Sequence, residues 1–276
     1  MATVTVGSTP APRRVPLAGL RRVAASNERL LLGILGFIVI GIIWEAAGDF
    51  GLYRRSLLSV PSLIAQAAWQ DFTNGTIYPD LLVSGQEFFF GFIAAMVIGI
   101  PLGIAIGMFR RVEYLTSYLL FGIYSTPKAA IAPLIILVFG LGIESKIILV
   151  FLLAFFSVIV STVAGVRSAA ERHLDLARSF GASRWLTFRT VILPSTLPFI
   201  LTGTRIATGR ALVGVIVAEE LAANAGIGHY IEMYGQFLQT QRAMLGVIIL
   251  GLFGILMGEG VRRIEKRYEV WRQEIH

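Results

Sequence analysis

The chain has 276 residues, of which 55% are hydrophobic and only 15% charged, with a net charge of +7. Soluble domains carry about 25% charged residues, so there are too few charges here to clothe a water-exposed surface, and the mean hydropathy of +0.74 agrees. Cysteine is absent, which excludes a disulfide scaffold and thiolate metal sites, and His173, His229 and His276 lie too far apart in sequence to suggest a metal cluster. The composition is that of an integral membrane protein.

A helix needs about 20 apolar residues to cross the hydrocarbon, and six segments qualify or nearly do. Leu30–Trp44 is uncharged and reaches Ala47 if Glu45 lies at the interface. Phe88–Phe109 is an uncharged run of 22 residues. Tyr114–Gly142 is interrupted only by Lys128, and Ile147–Val166 by nothing. Thr190–Ala218 contains Arg205 and Arg210, so its span is expected to start near Pro198. Ala243–Gly258, extended to about Val261, is the last.

Loop charges orient these spans. Arg13, Arg14, Arg21, Arg22 and Arg29 precede the first, and Arg110 and Arg111 follow the second. Arg167, Arg172, Arg178, Arg184 and Arg189 separate the fourth from the fifth, while Arg262, Arg263, Lys266, Arg267 and Arg272 follow the last. With an even number of spans all four groups fall on one side, which the positive-inside rule makes cytoplasmic, together with both termini. The basic surplus is therefore a signal of topology and lipid contact rather than of nucleic acid. Residues 1–29, rich in Pro, Ala, Ser and Arg, read as a disordered basic cytoplasmic leader, and residues 30–276 as the transmembrane domain.

Two segments fit neither class. Pro61–Phe72 has a helical apolar period (Leu63, Ile64, Ala67, Ala68) and is expected on the external membrane surface. Gly228–Gln241 is too polar to span and too apolar for a free loop. It reads as a short re-entrant or gate-like helix, tolerated at depth when buried in protein.

No Gly-x-x-x-x-Gly-Lys-Ser/Thr loop, Gly-x-Ser-x-Gly elbow or His-Glu-x-x-His stretch occurs, so nothing suggests an enzyme. The most specific feature is the loop Leu174–Pro194. It reads as a helix ending at Gly181, where glycine takes the left-handed cap conformation. A short amphipathic helix follows, with Trp185, Phe188 and Val191 on one face, stopping before Pro194. The result is either an L-shaped projection or an ordinary amphipathic linker on the membrane surface.

This stretch resembles the coupling loop of ABC-transporter permeases: Glu-Ala-Ala, three residues, Gly, nine residues, then Ile-x-Leu-Pro. Here it runs Asp175-Leu176-Ala177, three residues, Gly181, nine residues, then Val191-Ile192-Leu193-Pro194. The departures are Asp for Glu, Leu for the first Ala and Val for Ile. Ser125–Lys146, Thr202-Gly203, Ala218-Glu219, Gly226-Ile227-Gly228 and the Trp271 tail are similar to the nitrate, sulfonate and taurine importer subfamily, over roughly residues 56–272.

The resemblance implies an all-α permease of the type I importer kind, with six transmembrane helices in the bacterial cytoplasmic (inner) membrane. It implies a homodimer that engages two ATPase subunits and an external solute-binding protein, with ATP and Mg on the ATPase and no cofactor on this chain. Asp175, Leu176, Ala177, Arg178, Gly181 and Ala182 are then the ATPase-coupling residues. The expected cargo is a small anion such as nitrate, a sulfonate or a carboxylate. A vitamin or heterocyclic precursor is the alternative, and an ion-coupled secondary transporter the rival mechanism.

Gly91, Ala95, Gly99, Gly103 and Gly107 recur at a spacing of four, a small-residue stripe that lets helix backbones approach closely, either inside one subunit or at a dimer seam. Lys128 stands between Pro127 and Pro133 near the middle of the third span. A charge there costs at least ~2.5 kcal/mol on insertion scales, so it should face protein or water. It either lines the translocation path with Pro127, Pro133 and Glu219, or pairs with Glu219 or Glu220. Arg205 is expected near the cytoplasmic end of the fifth span. Arg210 lies deeper, a second candidate for the path or for an acid partner.

Overall fold

The computed structural model describes residues 28–54, 57–169 and 171–268, so most of the expected leader and the Trp271 tail lie outside the described residues. The regular structure among them is helical. Helix α1 (Glu28–Asp49) belongs to a unit of its own that reaches Arg55, where the Tyr53 hydroxyl donates to the Trp44 carbonyl at 3.2 Å. The second unit, from Ser56 onward, holds everything else.

In that unit α2 (Pro61–Thr73) starts with proline at its first position, where a missing N–H is no loss. It buries Ile64, Ala67 and Asp71 and leaves Trp69 exposed. Helices α3 (Tyr78–Met108), α6 (Ile143–Arg167) and α9 (Leu193–Ala222) form the centre. The glycine stripe of α3 receives the β-branched row of α6. A Cβ added at Gly91 would lie 2.6 Å from Val150, at Gly103 2.7 Å from Thr162 and at Gly107 2.6 Å from Val166. The rising numbers on both sides mean that α3 and α6 run parallel. Phe88, Phe92, Ala95, Val150, Ala154, Val158, Ala207, Ala211 and Val215 make the shared core.

Helix α9 runs antiparallel to α6, with Gly203 against Ser161 and Gly214 against Val150. Helix α11 (Thr240–Tyr268) runs back along α9, with Gly254 against Leu212 and Glu265 against Thr202 and Arg205. Gly258, part of the same small-residue spacing, meets nothing. These directions gather Arg110, Arg111, Arg167, Arg189, Arg262, Arg263 and Lys266 at one end of the bundle, the end that carries residues 171–192.

Four helical stretches among the described residues are long and apolar enough to cross a membrane: α3, α6, Arg184–Ala222 and Thr240–Lys266. A fifth arises if one bent pair counts as a single span. That pair corrects the expected third span. Instead of one helix over Tyr114–Gly142, α4 (Arg110–Ser125) and α5 (Ala132–Phe139) meet at 84°. Pro127 forces Thr126 out of the helical region (φ −72°, ψ 133°), and Lys128–Ile131 forms a 3₁₀ turn before Pro133 starts α5. Lys128 thus belongs to a break in the helix, not to its middle.

The expected stop before Pro194 is also corrected. Helix α8 (Arg184–Thr187) passes through a π turn at Phe188–Ile192 directly into α9, and the Leu193 N–H bonds to the Phe188 carbonyl. The wider turn brings Pro194 into the first turn of α9, where its missing N–H is tolerated. The fifth span therefore begins ahead of Pro198. The segment expected to be gate-like forms α10 (Ile227–Gln236), separated from α11 by Leu238 in the left-handed region at φ 56°.

Close packing of this kind tolerates no added bulk. Gly103→Leu drives a side chain into Thr162, and overpacking costs about 1–3 kcal/mol or more. Its yield and melting temperature in detergent should fall well below wild type, while Gly251→Ala, which meets nothing within 4 Å, leaves both unchanged.

Candidate functional site

At the end of the bundle away from residues 171–192, three elements converge on one carboxylate. Glu219, near the end of α9, is fully buried. Its Oε1 accepts the Ser84 hydroxyl at 2.6 Å, and its Oε2 accepts the Gly228 N–H at 2.6 Å. Ser84 Oγ in turn accepts the Ile227 N–H at 2.7 Å, and Asp80 Oδ1 accepts the Gly226 N–H at 2.8 Å. Three successive backbone donors at the start of α10 are thereby answered by side chains of α3 and α9. These are N–H groups that a helix leaves without internal partners, and they favour an anion.

The approach requires glycine. Gly226 sits at φ 120°, and a Cβ there would lie 2.2 Å from Glu219 Oε1. One at Gly228 would lie 2.9 Å from the Glu219 Cβ. Gly226-Ile227-Gly228 is therefore the seat of Glu219.

One turn from Ser84, Glu87 is fully buried, and its carboxyl makes no hydrogen bond among the described residues. Lys146 at the start of α6 places Nζ 3.5 Å from Glu87 Oε1 and is itself 7% exposed. Glu87, Glu219 and Lys146 thus form a buried group linking α3, α6 and α9. A second tie lies beside it. Buried Asp71 of α2 accepts the Tyr230 hydroxyl at 2.5 Å and the Arg242 Nε at 3.0 Å, and Arg242 stacks over Tyr234 at 5.0 Å. Burial, reinforced by Asp71, pushes the Tyr230 phenol above its ordinary pKa and keeps it a donor. Helix α10 is held from both flanks.

The opposite end carries the projecting loop. Helix α7 (Glu171–Ser179) closes at Gly181, φ 70°, with the Gly181 N–H on the Arg178 carbonyl at 2.9 Å and the Ala182 N–H on the Ala177 carbonyl at 3.0 Å. That pair of bonds is a Schellman cap. Ser183 then caps α8 by accepting the Leu186 N–H at 3.2 Å. The corner is rigid, yet it displays Leu176, Phe180 (81% exposed), Trp185 and Leu186 to the outside. Asp175 and Arg178 pair with each other on its surface at 3.1 Å.

The expected path residues fall at the α4–α5 break and at the end of α9, against which the start of α5 packs. Lys128 and Pro127 lie at the α4–α5 break and Pro133 opens α5, whose Ala132 and Ile135 pack with Ala218 and Leu149. Glu219 is committed to Ser84, Gly228 and the Glu87–Lys146 pair.

The family described as the binding-protein-dependent transport system inner membrane component matches residues 99–270. The chain belongs to this family. The taurine transport system permease protein TauC of Escherichia coli K12 is 31% identical over 254 residues, covering 90% of this chain and 92% of that protein. The putative aliphatic sulfonates transport permease protein SsuC of Bacillus subtilis 168 is 32% identical, covering 87% of each. The formylaminopyrimidine transport permease protein ThiX of Halalkalibacterium halodurans is 30% identical, covering 87% of this chain and 95% of that protein. An inward-facing structure of the MetNI methionine ABC transporter matches with a TM-score of 0.57 at 19% identity, covering 70% of this chain and 94% of that chain.

As an ABC importer permease, the chain is a multi-pass inner-membrane transport subunit and not an enzyme. Its family implies an ATPase and a binding protein as partners. For a permease, the least legible residues were Glu87 and Lys146. Each stands one position outside an uncharged run, Phe88–Phe109 or Ile147–Val166, where a charge reads as interfacial. The available signal was their opposite sign at the same end of parallel spans.

Removing one member of this group should be costly. Lys146→Met leaves Glu87 buried without a cation, a change worth about 3–5 kcal/mol where a buried pair is broken. Its thermal unfolding in detergent should shift strongly downward, and Glu87→Gln in the same chain should recover most of the loss.

Proposed function

We propose that this chain is one half of a homodimeric permease that imports a small sulfonate-like anion across the cytoplasmic membrane. Two ATPase subunits engage residues 175–182, and an external binding protein delivers the cargo. Six spans, counting α1 as the first, put both termini and the basic end of the bundle in the cytoplasm, in keeping with the loop charges.

The observation that carries the reading is the projecting corner at Gly181. A loop displaying Phe180 and Trp185 is poorly suited to water, and its rigid Schellman cap lets it transmit force without bending. Closure of the ATPase pair would draw the two corners together and move α6 and α9, between which the loop lies. The sulfonate assignment rests on the likeness to the taurine and aliphatic-sulfonate permeases. A heterocyclic cargo is the second reading, favoured by the likeness to the formylaminopyrimidine permease.

The test is uptake into proteoliposomes holding the permease, its ATPase and its binding protein. Radiolabelled taurine should enter only with ATP, with competition from ethanesulfonate and none from a neutral aminopyrimidine. Competition by the pyrimidine alone would establish the second reading. In the same vesicles Gly181→Val strains the left-handed corner, because β-branched residues disfavour positive φ. Uptake and cargo-stimulated ATP hydrolysis should fall together by tenfold or more while the complex stays assembled. Normal stimulation would refute the coupling role.

A further inference from the structure

We propose that Arg210 is an anion-contacting residue of the translocation path, presented by α9 to the negative group of the cargo about halfway across the membrane. The inference rests on the reading of the cargo as an anion. Helix α9 has two faces. Ala207, Ala211, Gly214 and Val215 are buried against α6 and α3, while Ile206, Gly209, Arg210 and Val213 are exposed. Arg210 lies twelve residues before the end of the helix at Ala222, about 18 Å along the axis at the helical rise. In a hydrocarbon layer about 30 Å thick, that is near the midplane.

A lipid-facing arginine at that depth is costly. Four arginines elsewhere in the bundle meet an acid: Arg167 meets Glu113, Arg205 Glu265, Arg242 Asp71 and Arg262 Glu259. Among the described residues no acid pairs with Arg210, so its charge is met from outside the fold of one chain.

In the unit from Ser56 onward, a second copy offers no carboxylate at that depth. Leu212 lies beside Gly254, and Gly214 beside Val150, which itself lies beside Gly91. Around those levels α3 is free of acids from Phe88 to Met108 and α6 from Ser145 to Arg167. Helix α11 is free of them from Thr240 to Gly258, and its Glu259 is paired with Arg262. Between Tyr114 and Phe139, α4 and α5 carry none either. A water-lined path holding an anion remains as the partner.

Two further observations place the path on this face. Gly209, next to Arg210, has nothing within 4 Å of where a Cβ would stand, so the backbone there is open to a small solute. Val217, two turns further along α9 and half-buried, packs against the cluster of Ala132, Ile135 and Ala218, as does Ile131 of the segment that follows Lys128 at the α4–α5 break. The α4–α5 break therefore lies close to the face that carries Arg210.

The chain has no cysteine, so Arg210→Cys gives a single thiol. In the assembled complex with its ATPase, a membrane-impermeant anionic methanethiosulfonate should modify that thiol, and taurine delivered by the binding protein should slow the reaction. In proteoliposomes Arg210→Gln should lower taurine uptake at least tenfold, with wild-type assembly of the complex. Arg210→Lys should retain a substantial part of the uptake. A thiol that stays unmodified with and without nucleotide would overturn the proposal, as would full taurine uptake by Arg210→Gln. Collapse of assembly in Arg210→Gln would also overturn it, by revealing an acid partner. Wild-type vesicles that import a neutral aminopyrimidine and no sulfonate would refute the cargo reading and this inference together. Sulfonate uptake indifferent to Arg210 would refute this inference alone.

Discussion

A carboxylate buried inside a membrane bundle has to be answered by donors, and Glu219 is answered by two different elements at once. Its two oxygens take a hydroxyl from α3 and a backbone N–H from α10, so the end of α9 becomes the point at which both dock. Without that anion the Gly228 N–H would be unanswered and the Ser84 hydroxyl, which accepts the Ile227 N–H, would lose its own acceptor, a loss for a ten-residue helix that has few internal bonds to spare. The Gly226-Ile227-Gly228 seat, the Ser84 relay and the Glu87–Lys146 pair follow from that need. Lys146 reduces the charge imbalance of two neighbouring carboxyls and links α6 to the same knot.

The bundle is consequently unequal at its two ends. Around Glu219 and Asp71, charged groups are buried, mutually bonded and shared among α2, α3, α6, α9, α10 and α11. Around Gly181, the bonds are local to the loop and the large apolar side chains face outward. A machine driven by partners at one end suits this division. In the proposed coupling, the corner transmits a displacement, the close-packed seam of α3 and α6 carries it, and the α4–α5 break supplies a place to bend.

Much of this was legible in the sequence for a physical reason. Uncharged runs report membrane burial directly, so α3, α6 and α11 followed from composition. The left-handed corner followed from a glycine after an amphipathic turn, and the end-to-end charge asymmetry from arginine placement. What failed was reading each proline and each charge by its distance along the chain. Pro127 breaks a span that Pro194 does not, because Pro194 is absorbed by a π turn into the start of α9, whereas Pro127 dictates the conformation of Thr126. Glu87 and Lys146 looked interfacial because helix ends usually are. Their burial goes with their meeting each other and Glu219 across three helices, a tertiary fact that no local pattern carries.

The measurement that bears most directly on this account is backbone amide exchange over residues 224–233, followed by mass spectrometry on the assembled complex in nanodiscs. With Glu219 in place, the amides of Gly226, Ile227 and Gly228 should exchange slowly, as protected as those of the neighbouring spans. Glu219→Ala should release them to rapid exchange while the peptides of α3 and α6 keep their protection. Equal exchange in the two proteins would mean that α10 is seated by something other than Glu219 and would contradict the account.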